Sequence, residues 1–226
     1  MNVREIWLDL RGIAHRFGFA AVATETLCRL FCHLCDGKCH VVIVITSEAL
    51  PSSDPAPSTD RPPRFLSDEE VHATAALDPE LFDETFAAAA LARGDECVGG
   101  FDGQRVVSTS WYTRHPSQLS NGLFVTCGSR YIYSYKGQTL SSFRGKRFAG
   151  QRGTFVARSY AQRGYAGVMA EIEVNNFSSL RNAARLGARR VGNFVTWRML
   201  GRYRWITGPG CRPYGFALRR AQGDAP

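Results

Sequence analysis

The second half of this sequence has almost no acidic residues. Residues 101–226 hold four acids against 20 bases, whereas residues 1–100 hold 16 acids and eight bases. Between Asp102 and Asp224 the only carboxylates are Glu171 and Glu173, so any carboxylate chemistry there rests on these two. Lysine is scarce as well, confined to Lys38, Lys136 and Lys146. The basic half therefore offers arginine, whose planar fork grips phosphate in bidentate fashion. Such a surface fits a phosphorylated cofactor, an acidic carrier protein or a nucleic acid, and it also fits plain solvated arginine. No recognition motif for DNA or RNA accompanies the bases, which argues against nucleic acid. No run approaches the ~18 apolar residues of a membrane helix. Arg4, Glu5 and Asp9 make the first ten residues unlike a cleavable secretory signal, so the expected setting is the cytoplasm, without a membrane span. Internal repeats are absent. A chain of 226 residues, 44% hydrophobic, can bury one sizeable core.

The cysteines include Cys28, Cys32, Cys35 and Cys39, flanked by His33 and His40. Thiolates at this spacing can hold zinc or an iron–sulfur cluster. Against that, Thr24 to Cys35 has the period of an amphipathic helix through Leu27, Leu30, Phe31 and Leu34, where cysteine acts as a small apolar residue. No metal is expected, and a reducing compartment disfavours disulfides.

Residues 1–39 read as a helical extension broken near Gly18 and closed by Asp36-Gly37. His40 to Thr46 is a continuous β-branched run, the pattern of a buried strand. The Pro/Ser-rich stretch at 51–64 reads as a mobile loop. Ser67-Asp68-Glu69-Glu70 is a capping box, and Asp78-Pro79-Glu80 has the form of a second helix start. Strands Glu96–Phe101 and Arg105–Thr113 flank Asp102-Gly103, a hairpin signal. Next come a strand at Tyr131–Leu140, a helix at Phe148–Gln162 containing Gly150 and Gly153, and a strand at Val168–Val174. A helix at Ser178–Leu186 and strands at 191–200 and 203–207 complete a domain spanning 40–208, with 209–226 left as a tail. The order from residue 40 is β-α-α-β-β-β-α-β-α-β-β.

Residues 139–149, TLSSFRGKRFA, join strand to helix through a basic turn. A helix N-terminus carries unpaired N–H groups and positive potential, which suit a pyrophosphate. Arg144-x-x-Arg147-x-Ala149 resembles the cofactor signature (Gln or Arg)-x-x-Gly-x-(Gly or Ala) of the GNAT (GCN5-related N-acetyltransferase) superfamily, with Arg147 standing where glycine is usual. Asn176-x-x-Ser179-Leu180, followed by Leu186-Gly187-Ala188 and Val191-Gly192, resembles the family's second segment at the same interval. The resemblance covers residues 95–207. It implies an α/β, mixed-sheet GNAT-like fold with an N-terminal helical extension, and an acyl-thioester site. The cofactor would be held by Leu140, Arg144, Gly145, Lys146, Arg147, Phe148, Ala149, Asn176 and Ser179, with Asn176 bonding the pantetheine arm.

The reaction so implied is attack of an amine on acetyl-CoA, a longer acyl-CoA or an acyl carrier protein, the acceptor being a small molecule or a peptide. It needs a base for the amine and a proton donor for the thiolate. Many family members place a tyrosine seven residues after the asparagine. Here that position is Ala183, so Tyr160, Tyr203 or water must substitute, or the chemistry differs. Glu171 and Glu173, two apart on one strand and hence on one face, are the candidate bases, and Tyr133, which shares a face with Tyr135, is a third polar candidate. The competing reading of the two glutamates is ion pairing with surrounding arginines. Competing functions are a non-catalytic GNAT-like binding protein and a cysteine-cluster metal protein.

Overall fold

The computed structural model describes residues 3–51, 61–119 and 122–220. Most of the Pro/Ser-rich stretch, residues 52–60, lies outside them. Helices α1 (Val3–Phe17) and α2 (Phe19–Cys35) form a hairpin that turns at Gly18, whose φ of 86° lies in the left-handed region glycine tolerates. Then follow β1 (Lys38–Ile45), β2 (Arg64–Phe65), α3 (Asp68–Leu77), α4 (Glu84–Ala92), β3 (Glu96–Asp102) and β4 (Arg105–Thr113). The remainder is β5 (Ser117–Gln118), β6 (Leu123–Thr126), β7 (Tyr131–Thr139), α5 (Phe148–Gln162), β8 (Gly167–Glu173), α6 (Phe177–Arg185), β9 (Arg189–Met199), β10 (Arg202–Thr207) and β11 (Ala217–Arg220).

Eight strands form one mixed sheet in the order β10-β9-β1-β8-β7-β4-β3-β2, and β11-β6-β5 form a second, smaller sheet. All pairings are antiparallel except β7 with β8. β1 lies between β8 and β9, which explains its unbroken apolar run. Val41, Ile43 and Ile45 pack on one face with Ala157, Ala183 and Leu186 of α5 and α6, while Val42 and Val44 pack on the other with Met169, Phe194, Cys211 and Phe216. α3 and α4 cover the β3–β4 half of this second face through Val71, Ala75, Ala87 and Ala90 against Cys97, Val107 and Trp111. α5 crosses the first face with Val156 and Tyr160 against Val98, Tyr112, Ile132 and Val168.

The capping box forms as expected, with the Ser67 hydroxyl accepting from the Glu70 amide and the Glu70 side chain from the Ser67 amide. The second helix starts later than Asp78-Pro79-Glu80 suggests. Asp83 is its N-cap, accepting from the Phe86 amide at 2.8 Å, while Asp78 closes α3 and pairs with Arg105. Gly150 and Gly153, costly inside a helix by themselves, are explained by α6. A Cβ on Gly153 would stand 2.5 Å from Leu186 Cδ1, and one on Gly150 3.3 Å from Asn182 Oδ1. Residues 209–220, part of the stretch read as a tail, instead run through a 3-10 turn at Pro209–Tyr214 into β11, with Cys211, Phe216 and Leu218 buried.

Candidate functional site

The parallel pair β7 and β8 is joined only over Tyr131–Tyr133 and Gly167–Met169. Beyond these residues β7 stays with β4 and β8 stays with β1, so the sheet splits at their C-terminal ends. A bulge in β7 sets Lys136 at φ 46°, between the pairs Trp111–Tyr135 and Thr109–Gln138. Arg152 of α5, buried with no carboxylate partner among the described residues, donates to Ser108 Oγ at 2.7 Å and to the Gln138 carbonyl at 3.2 Å, tying down the end of β7. Burial pulls its pKa down. This arginine was not distinguishable from its surface counterparts by pattern.

Both helices that follow the parallel strands begin at the mouth of the split. In the loop before α5, Gly145 and Arg147 have φ of 83° and 65°. Arg147 thus adopts a left-handed backbone that glycine tolerates better, at the cost of some strain. No side chain caps α5, and the Gly150 amide already bonds the Arg147 carbonyl at 3.0 Å, so the amides of Phe148 and Ala149 are the ones left to face an anion. Arg144 Nη2 lies 3.6 Å from Glu80 Oε1, and Glu80 also accepts from the Ser141 amide at 2.9 Å. Lys146 Nζ sits 4.6 Å above the Phe143 ring. Leu140 and Phe148 point into the α3–α4 core, so they can offer a ligand only backbone. Ala149 lies in the first turn of α5.

α6 is built differently. Asn176 Oδ1 accepts from the Ser179 amide at 3.2 Å and from Ser178 Oγ at 3.1 Å, capping the helix. The Asn176 amide NH2 is what remains to donate.

On the opposite face of the sheet stand the carboxylates. Tyr133, 2% exposed, donates its hydroxyl to Glu171 Oε2. Burial above all pushes the half-buried Glu171 carboxyl up to about 7, with Glu173 adding to the rise and the Tyr133 bond opposing it. Glu173 pairs with Lys38 Nζ at 2.9 Å and Glu171 with Tyr133, so among the described residues neither glutamate is held by an arginine. Two sets of contacts lie beyond what the sequence pattern shows. His40, paired across the strands with Glu173, stacks on Phe194 at 4.4 Å, and burial lowers its pKa to about 4, leaving it neutral with Nδ1 unpartnered. Tyr135, stacked on Tyr133 at 6.4 Å, donates to the buried Asp95 at 2.6 Å, and Arg93 bonds both. Alternation along β1 and β7 hints at these faces, but the partners come from distant sequence.

Ala183 is 6% exposed and packs with Ile43, Ala157 and Leu186. Tyr160 donates to Glu96 near the far end of α5, and Tyr203 to Asp36. Neither reaches the split. Two surface cavities, of about 360 and 390 Å³, open at the joined end of β7 and β8 around Arg114, Arg163 and Tyr165, and no residue of the split lines them. Among the described residues no group of three or more His, Cys, Asp or Glu side chains converges on a metal position. None of the described helices is long and apolar enough to cross a membrane.

Among solved structures, an acetyltransferase of the GNAT family from Colwellia psychrerythraea superposes with a TM-score of 0.51 at 13% identity, over 70% of this chain and 55% of its own. The fold is that of the GNAT acetyltransferases. A GCN5-related N-acetyltransferase from Sphaerobacter thermophilus (TM-score 0.48, 15% identity, 76% of this chain and 53% of its own) and a putative GNAT acetyltransferase from Novosphingobium aromaticivorans (0.44, 18%, 70% and 62%) lie further off. The chain thus spans little more than half the length of the Colwellia protein. No family model matches the sequence, and no curated protein matches it. The two segments that resemble the GNAT signatures, residues 140–149 and 176–179, lead from β7 into α5 and from β8 into α6.

Proposed function

We propose that this chain is an N-acyltransferase that moves an acetyl or longer acyl group from a thioester, acyl-CoA or acyl carrier protein, to the amine of a small molecule or peptide. One observation carries the reading: the parallel strands part where an uncapped basic helix start meets, across the sheet, a carboxylate poised near neutrality. The donor's phosphates fit the amides of Gly145, Arg147, Phe148 and Ala149, with Arg144, Lys146 and Arg147 supplying charge. Asn176 donates to the pantetheine arm. The thioester then lies in the split and the amine arrives from the Glu171 side.

Glu171, directly or through one water, takes the amine proton as nitrogen bonds to the thioester carbonyl carbon. The C–S bond breaks, Tyr133 passes its hydroxyl proton to the thiolate, and Glu171 returns the amine proton to Tyr133. Charge and protons balance without a group on α6, where Ala183 has none to offer. The arginine-rich half suits an acidic carrier by steering its approach, and the setting is cytoplasmic. A second reading, a GNAT-like binding protein without turnover, draws on the burial of Ala183 in an apolar core.

The test is calorimetric titration with acetyl-CoA, a long acyl-CoA and acyl carrier protein, on the wild type and on Arg144→Ala. Losing one charge-assisted contact should weaken the preferred donor by roughly ten-fold or more. No binding by any donor, or no change in the variant, contradicts the assignment. Binding without acyl transfer across a panel of amines favours the second reading.

A further inference from the structure

The α1–α2 hairpin is gripped by the turn that carries Asn176. Glu25 of α2, 8% exposed, accepts from Asn175 Nδ2 at 3.0 Å and is backed by Arg29, which also binds Asp9 of α1. Phe17 packs against Phe177 with the rings tilted at a centroid distance of 5.3 Å, the Arg181 guanidinium lies 4.6 Å above Phe17, and Arg181 Nη2 donates to the Arg16 carbonyl at 2.8 Å. From the inner side, the Val174 amide donates to the Cys39 carbonyl at 2.9 Å. The turn between β8 and α6 is thus held on two sides, and the outer side belongs entirely to the hairpin.

A buried carboxylate is a poor choice if the hairpin needs only to pack, because apolar residues of similar volume do that at least as well. Here the carboxylate reaches out of its own helix to the residue next to Asn176. We propose that the hairpin is part of the donor site, with Glu25 as a positioning residue that fixes Asn175, and through it the Asn176 amide, for the thioester's pantetheine arm. This rests on the donor reading above. It assigns a role to residues 3–35, and it makes donor affinity depend on a side chain more than 100 positions from either binding segment.

The experiment measures the dissociation constant of acetyl-CoA by calorimetry, with melting temperature and amide hydrogen exchange at 175–179 recorded in parallel. Glu25→Ala should weaken binding about ten-fold, the usual effect of losing a hydrogen bond to a charged group, and should speed exchange in the turn. Glu25→Gln keeps an acceptor for Asn175 and should stay within about three-fold of wild type by the same arithmetic. Asp9→Ala removes only the outer partner of Arg29 and should leave affinity unchanged. Should Glu25→Ala fold poorly, Asn175→Ala breaks the same bond from the turn and should reproduce the loss. Unchanged affinity in the variant that folds overturns the inference, as does an equal loss in Asp9→Ala, which marks general loosening of the hairpin. Wild-type protein that binds no acetyl-CoA overturns the donor reading itself, a result distinct from both.

Discussion

The chain crosses twice from a strand of the parallel pair into a helix, and the two crossings end differently. From β7 it passes through two left-handed residues, Gly145 and Arg147, into a helix with no side-chain cap and three basic residues around its start. From β8 it turns at once into α6, whose Ser179 amide is engaged by Asn176. One start has no side-chain cap and the other is capped at one amide, so the first suits phosphates and the second offers the Asn176 NH2 as donor. The strands feeding them differ as well, since β7 brings Tyr133 and β8 brings Glu171.

The sharpest way to break this division of labour is Glu171→Gln. Removing the base should lower turnover by about 10² to 10⁴-fold while leaving donor affinity intact. In the wild type, turnover should rise with pH through about 7, because Glu171 must lose its proton to act. Tyr133→Phe removes the bond that favours the charged carboxylate, so any remaining activity should shift to higher pH. A rate independent of Glu171 removes β8 from the chemistry.

Asn176 separates cap from ligand. Asn176→Ala should cost about 1 kcal/mol of stability through loss of the cap and should weaken donor binding too. Asn176→Asp keeps the cap but carries no NH2, so stability should hold while donor affinity falls several-fold. If Asn176→Asp binds the donor as wild type does, the residue is a cap alone.

Smaller effects are expected at the open start. Glu80 engages the Ser141 amide and lies near Arg144, so Glu80→Gln should tighten donor binding a few-fold by removing a competing charge, as titration at low salt would register. Arg147→Gly relieves about 1–2 kcal/mol of left-handed strain against roughly 0.5–1 kcal/mol of added chain entropy. It should melt slightly higher and bind the donor more weakly. A more weakly melting variant removes the strain argument.

Much of this architecture could be read from local signals. The bounds of α5, the capping box at Ser67 and the β3–β4 hairpin, whose turn falls at Gly103-Gln104, one residue past the Asp102-Gly103 signal, follow from features within a few residues of one another. What escaped depends on distant partners. Gly150 and Gly153 look like weak points until α6 is laid against them, and β1 reads as buried without showing that β8 and β9 are its neighbours. The fold of residues 209–220 is fixed by pairing with β6 and by burial of Cys211 and Phe216, not by any apolar run of its own. In the site, Glu171, Glu173 and Tyr133 were legible as shared faces. The Tyr133–Glu171 bond, the stacking of His40 on Phe194 and the Asp95–Tyr135 pair arise only when β1, β7, β8, β9 and the turn before β3 are assembled.

Backbone amide chemical shifts followed by nuclear magnetic resonance during titration with acetyl-CoA test the contrast between the two helix starts most directly. Large shifts at Gly145, Arg147, Phe148 and Ala149, with the Ser179 amide nearly still, are the predicted result. Shifts confined to α6, or to the arginine-lined cavities around Arg114 and Arg163, would place the donor elsewhere and contradict the account.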